Sequence, residues 1–353
     1  MFAGPRQFFA GWRGLGWFWL LIAVLVALGG VALQIVGPPG APAQRIVAGQ
    51  TPAPPVRPAG EPAKPAPQQA ASAPPVARPG RDTPGPIADP DPALLEPGST
   101  STSDLLPRIA VDGRMPMQVY AAGFDSSTLR PRVGLLLAGV GLNQAESEAA
   151  IRALPGGVTL AISPYAQNTA RLLGAARSAE HEFLLSIPME PQGFPLNDPG
   201  RQALMTSLSV EQNRSRLEWA LSRISGYVGA VGAEGSLRGE RFASLPEEMN
   251  PVLAELARRG LLYVDPRPGA APLPLVWSRR VDLVIDAPGA AADIDDKLAQ
   301  LARLAREKGS ALGFAGAVRP VTTQRLAAWA NGLAADGLAL APVSALVQAP
   351  TAK

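Results

Sequence analysis

Hydrophobic positions fall into three textures along the chain. Residues 17–36 (WFWLLIAVLVALGGVALQIV) are an apolar run without a single charge. That length is enough to cross the ~30 Å hydrocarbon layer of a membrane as a helix. Residues 37–107 show neither the two-residue period of a strand nor the 3.6-residue period of a helix. From about Arg108 short apolar runs alternate with helical patterns, which predicts βα units on a largely parallel sheet.

The clearest strand-and-turn is R-V-G-L-L-L-A-G-V-G-L-N over 132–143. An apolar strand at 133–137 meets a glycine-rich turn and then a helix from about Asn143. Further strands are predicted at 158–163, 183–187, 228–232, 261–265, 281–286, 311–314 and 338–340. Helices are predicted at 144–153, 169–177, 210–224, 247–258, 294–307 and 323–335. Ser209 is placed to cap the third helix, Pro246 to open the fourth, and Gly260, Gly309 and Gly337 to follow helices where a left-handed residue is wanted. About seven repeats fit a barrel or a doubly wound sheet, in one domain over 108–348 with a short tail at 349–353.

Composition sharpens the front of the chain. Half of the 38 prolines lie in 37–107, with Ala, Gly, Ser and Gln around them, so this stretch reads as a disordered linker. Fully extended it reaches up to ~200 Å. Arg6 and Arg13 precede the apolar run without an acid, and Trp12, Trp17 and Trp19 supply an interfacial belt. The expectation is a cytoplasmic segment at 1–16, a single-pass transmembrane helix at 17–36, and a periplasmic domain anchored in the inner membrane. A cleaved signal peptide is the competing reading, but Gly37-Pro38-Pro39-Gly40 is a poor cleavage signature.

Charge and residue counts exclude several chemistries. The formal charge is +3, with seven Lys/Arg against six Asp/Glu before residue 108 and 25 against 23 after it, which is no footprint for nucleic acid. Zero cysteines exclude disulfides, thiolate catalysis and cysteine zinc sites. A single histidine, His181, limits metal and general-base schemes, and at the start of a strand it reads more readily as a hydrogen-bonded structural residue. Gly139-x-Gly141 half-matches a dinucleotide fingerprint, but Gln144 holds the third glycine position and no acid ends the second strand.

Strand ends gather the remaining candidates. Glu190 follows Ile187-Pro188-Met189 into a Pro/Gly/Asn/Asp-rich loop, placed either to bind a sugar hydroxyl or to hold loop amides. Glu234 and Ser236 follow the fourth strand, and Asp265 and Arg267 follow the fifth, where they can also pair with each other. Asp282 and Asp286 bracket the sixth. Asp293, Asp295 and Asp296 sit where acids favour a helix dipole.

Ser163-Pro164-Tyr165, H-E-F-L-L-S-I-P-M-E-P from His181, F-P-L-N-D-P-G-R-Q-A-L-M-T-S-L-S from Phe194, the Gly-Ser end of 229–236, and L-L-Y-V-D-P-R from Leu261 together resemble the divergent polysaccharide deacetylases of proteobacterial envelopes. The likeness spans about 132–346. It implies a distorted (β/α) barrel of the polysaccharide deacetylase type, with paired aspartates after the first strand and histidines at later strand ends. Such ligands hold a divalent metal that activates water against an acetyl group. In this chain the implied positions are Ala138 and Gly139, Ser186, Ala233 and Phe314, none of them a good ligand.

The resulting expectation is a pseudoenzyme without a cofactor. Its cleft rim of Glu190, Glu234, Ser236, Asp265 and Arg267 would bind a polysaccharide or peptidoglycan-type glycan, or an envelope protein. Two alternatives stay open. One is a carbohydrate esterase using Glu190, Glu234, Asp265 and Asp286 alone, or with a divalent metal such as zinc; the other is a structural envelope protein.

Overall fold

The computed structural model describes residues 79–83, 85–99 and 104–350. The expected membrane helix at 17–36 and the linker up to residue 78 lie outside the described residues. Among those described, no helix is long and apolar enough to cross a membrane.

An antiparallel hairpin of β1 (Leu95–Pro97) and β2 (Leu105–Pro107) comes first, then a one-turn helix α1 (Pro116–Val119). The alternation predicted from the sequence follows. It runs β3 (Arg132–Val140), α2 (Gln144–Ala153), β4 (Thr159–Ile162), α3 (Thr169–Ser178), β5 (Phe183–Ser186), α4 (Val210–Leu221) and β6 (Gly229–Val231). It continues with α5 (Glu240–Ala243), α6 (Pro246–Arg258), β7 (Leu262–Asp265), β8 (Ser278–Arg280), β9 (Leu283–Val284), α7 (Ala291–Lys308), β10 (Ser310–Ala315), α8 (Pro320–Gly332) and β11 (Ala339–Leu340). Local chemistry sets the ends. Ser209 accepts from Gln212 N at 3.2 Å while Gln212 returns a bond to Ser209 N at 3.0 Å, a reciprocal cap that starts α4.

The strands lie in the order β8-β7-β6-β5-β4-β3-β10-β9, all parallel, with β11 beside the start of β3. Its two edges, β8 and β9, are joined by residues 281 and 282 alone. A link of that length reaches at most about 11 Å. The sheet therefore curls until its edges nearly meet. Val281 N bonds Asp265 O on β7 at 2.9 Å, and the next amide, Asp282 N, bonds Leu312 O on β10 at 2.9 Å. The result is a curled parallel half-barrel, as expected for a deacetylase-type barrel.

Alternation along the strands separates two cores. Val133, Leu135, Leu137, Leu160 and Leu185 face the surrounding helices. Leu136, Ala138, Ala161, Leu184, Val231, Ala233, Leu312 and Phe314 face the barrel axis. Leu94, Ala110, Met117 and Tyr120 join that inner cluster.

This last observation corrects the expected boundaries. The linker was placed over 37–107, yet Leu94 and Leu106 are fully buried and β1–β2 is a hydrogen-bonded hairpin. Arg259, at the end of α6, bonds Pro107 O at 2.7 Å and pairs with Glu96 at 2.9 Å. Proline-rich composition concealed a segment whose few apolar side chains fill the inner core. β8 was also missed, because Ser278-Arg279-Arg280 at a sheet edge has no apolar pattern to read.

His181 and Glu182, just before β5, are both fully buried. The ring nitrogens of His181 face Val158 O at 2.8 Å and Ile151 O at 3.1 Å, and burial holds its pKa below the usual imidazole range. The Glu182 carboxylate accepts from Ala122 N at 3.1 Å, Thr159 Oγ1 at 3.0 Å, Ser344 N at 3.0 Å and Ser344 Oγ at 2.6 Å. It thereby joins β4, the segment after α1 and the chain beyond β11. Burial raises its pKa, and the donors oppose that shift.

Removing this carboxylate strands several buried donors at once. Glu182→Ala is expected to cost about 3 kcal/mol or more in urea denaturation. Glu182→Gln, which keeps one acceptor oxygen, is expected to cost less.

Candidate functional site

The strand-end face carries a cleft of about 550 Å³. Each wall is the end of a strand or the first few residues after it: Gly139 at the end of β3 with Leu142 and Asn143 beyond it, Tyr165 after β4, Glu234–Leu237 after β6, and Gly316–Arg319 after β10. Glu146 from the first turn of α2 and Asp198–Gly200 from the loop after β5 complete it. Curling of the sheet brings these ends together, and the volume suits a small polar ligand.

Three glycines make the floor. A Cβ on Gly139 would lie 3.3 Å from Gly316 O and 3.5 Å from Gly235 Cα, and one on Gly316 would lie 2.6 Å from Ser236 Cα. The ends of β3, β6 and β10 are thus in backbone contact. Asp286 fixes the β10 turn, accepting from Gly316 N and Ala317 N, each at 2.9 Å.

Of the residues singled out from the sequence, the structure places Glu234, Ser236 and Gly139 in the cleft lining. Glu190, Asp265 and Arg267 are outside it. Glu190 is buried, accepts from Thr206 N and Thr206 Oγ1 at 2.7 Å each, and meets Arg241 at 3.1 Å. It braces the loop that leaves β5. Asp265 is held by Arg267 through Nε at 2.9 Å and Nη2 at 2.7 Å, and by Arg267 N at 3.0 Å. Gly141 belongs to a packed turn, where a Cβ would meet Ala166 Cβ at 2.4 Å.

The positions implied for a metal were Ala138, Gly139, Ser186, Ala233 and Phe314. Ala138, Ala233 and Phe314 belong to the inner apolar cluster, with Phe314 only 1% exposed. The Ser186 hydroxyl is buried and has no hydrogen-bond partner. Among the described residues no three Asp, Glu or His side chains come together as a metal-binding group. This donor set does not fit a divalent metal.

Sequence reasoning missed Asn143, Glu146, Tyr165, Asp198 and Arg319 as members of one cleft. The available signal was position: Asn143, Glu146, Tyr165 and Arg319 lie just after a strand or in the first turn of the next helix. Tyr165 packs on Trp219 with ring centroids 5.4 Å apart, and its hydroxyl accepts from Gln202 N at 3.1 Å.

Glu234 has the most unusual environment. It is 7% exposed, and by distance and angle neither carboxylate oxygen has a hydrogen-bond partner. Burial pushes its pKa up to about 7, with the Ser163 hydroxyl nearby opposing the shift. A folded pKa raised from 4.5 to about 7 means the folded state holds the extra proton in that window. Stability from this group is therefore complete below pH 4.5 and is lost as pH rises through about 7. Glu234→Gln removes the penalty. In urea denaturation it is expected to gain about 3 kcal/mol over the parent at alkaline pH, and the gain should vanish in acid.

The sequence pattern of the divergent polysaccharide deacetylases matches residues 135–347. The solved structure of an uncharacterized protein from Agrobacterium tumefaciens C58 is 31% identical, with 69% of this chain and 99% of that one covered and a TM-score of 0.63. Two others are far more distant. A protein from Enterococcus faecalis V583, provisionally named a cellobiose-phosphate cleavage protein, is 11% identical over 62% of this chain and 100% of its own, with a TM-score of 0.44. A protein from Mycobacterium smegmatis, provisionally named a polysaccharide deacetylase, is 12% identical over 64% and 95%, with a TM-score of 0.38. A comparison with curated proteins returns no significant match. On the family pattern and the Agrobacterium relative, the chain belongs to the divergent polysaccharide deacetylases.

Proposed function

We propose that this protein is a membrane-anchored envelope component whose deacetylase-type domain no longer deacetylates and instead binds glycan in its strand-end cleft. The observation that carries this reading is the replacement of the implied metal ligands by Ala138, Ala233 and Phe314 inside an apolar cluster, beneath a floor of touching glycines. Water activation by a metal needs at least three donors and an open position. Side chains without donors offer neither. The cleft above retains what carbohydrate recognition uses: carboxylates, the Asn143 amide, the Ser236 hydroxyl and the Tyr165 ring.

In this reading residues 17–36 anchor the chain in the inner membrane with residues 1–16 in the cytoplasm. The linker after residue 36 lets the domain reach glycan, or an envelope protein, in the periplasm. No cofactor is assigned.

A second reading is favoured by one observation, the pKa of about 7 at Glu234 in the cleft. A carboxyl poised near neutrality suits general acid–base work. It would make the protein a metal-independent esterase acting on an acetylated sugar. Of the other carboxylates considered for that role, Glu190 and Asp265 are engaged with Arg241 and Arg267, and Asp286 accepts from Gly316 N and Ala317 N.

The test is acetate release by the full chain from acetylated chitooligosaccharides and peptidoglycan, with thermal-shift titrations of zinc, manganese and cobalt. The expected result is no release and no saturable rise in melting temperature with any metal. Metal-dependent release would overturn the proposal. Metal-independent release that disappears in Glu234→Gln would establish the second reading.

A further inference from the structure

Several acids outside the cleft are paired with cations. Outside the cleft, Glu190 meets Arg241 at 3.1 Å, Asp265 meets Arg267 at 2.7 Å and Asp282 meets Arg279 at 2.6 Å. Inside it, Glu146, Asp198 and Glu234 have no Lys, Arg or His within 4 Å among the described residues. Asp198 takes one backbone donor, Gly200 N at 2.8 Å. Glu234, with only the Ser163 hydroxyl nearby, is the most buried of the three. The one cation in the lining among the described residues, Arg319, is exposed on the side of Glu146 and makes no ion pair with any of them.

Ionised together, three carboxylates lining one concavity repel one another, and burial holds Glu234 in its floor protonated below about pH 7. A cation in the cleft lets all three ionise. An anion would add to the repulsion. A neutral acetamido group would satisfy hydrogen bonds but leave the charge unbalanced. A protonated primary amine does both, since it carries one positive charge and three N–H donors.

We infer that the cleft selects amino sugars in their de-N-acetylated, cationic form over their N-acetylated counterparts, with Glu146 and Asp198 on its walls and Glu234 in its floor as the acids that receive the ammonium group. The inference rests on the reading that the cleft binds glycan. It reverses the preference of a deacetylase, because the form favoured is the product of that chemistry rather than its substrate. A protein of this kind would recognise regions of a polysaccharide already deacetylated by a hydrolase elsewhere.

The test is calorimetric titration of the full chain in mild detergent with two probes, a glucosamine tetrasaccharide and the N-acetylglucosamine tetrasaccharide, near pH 7, where a protonated amine can be bound with Glu234 ionised. The glucosamine oligomer is expected to bind about tenfold more tightly, with an advantage that shrinks as salt is raised. Glu146→Gln with Asp198→Asn is expected to remove that advantage, and Glu234→Gln to reduce it. Each variant is checked by thermal melting, so loss of binding is read only from folded protein. Equal binding of the two oligomers, or tighter binding of the acetylated one, overturns the inference while leaving the glycan-binding reading intact. No binding of either overturns both. Competition by a lysine-rich peptide as effective as that by the glucosamine oligomer overturns the assignment to a sugar.

Discussion

Val281 and Asp282 bond in opposite directions, the first to β7 and the second to β10, and this pair of amides sets the shape of the domain. Successive residues of an extended chain cannot serve two distant edges. The parallel sheet must curl until β7 and β10 stand on either side of one short run. Once it does, the ends of β3, β4, β6 and β10 converge on a single mouth. The cleft is a consequence of that convergence rather than of any one loop.

The opposite end of the barrel is closed by a different device. Glu182 is a buried carboxylate with no cation beside it among the described residues, held by four donors from segments far apart in sequence. Leu94, Met117 and Tyr120 fill the space within. Buried acids without a cationic partner thus occur at both ends among the described residues, with opposite meanings. At Glu182 backbone and hydroxyl donors complete its coordination, and the carboxylate acts as a structural node. At Glu234 only the Ser163 hydroxyl stands nearby, and the side chain is part of the cleft lining.

Much of the fold is legible in the sequence because periodicity and end signals agree. Helix α2 lies at the predicted 144–153, and Ser209 caps α4 as its position implied. Where apolar pattern fails, legibility fails too. The hairpin over 95–107 is hidden by proline, and β8 by its arginines. The site divides along another line. Position after a strand is readable, so Glu234 and Ser236 were found. Direction is not, because it depends on partners such as Thr206 and Arg241, which turn Glu190 inward to brace a loop. Nor can a sequence reveal that an acid lacks a partner, since that is a property of everything around it.

Contact among Gly139, Gly235 and Gly316 has a consequence for which cleft positions accept substitution. Gly139 has a φ of +77°, a conformation that L side chains adopt at a cost of roughly 1–2 kcal/mol. A Cβ there would also press on Gly316 O at 3.3 Å. A Gly139→Asp exchange therefore strains the backbone and presses on the β10 turn, whereas Asn143 and Asp198, exposed on the cleft wall, can be exchanged without either cost.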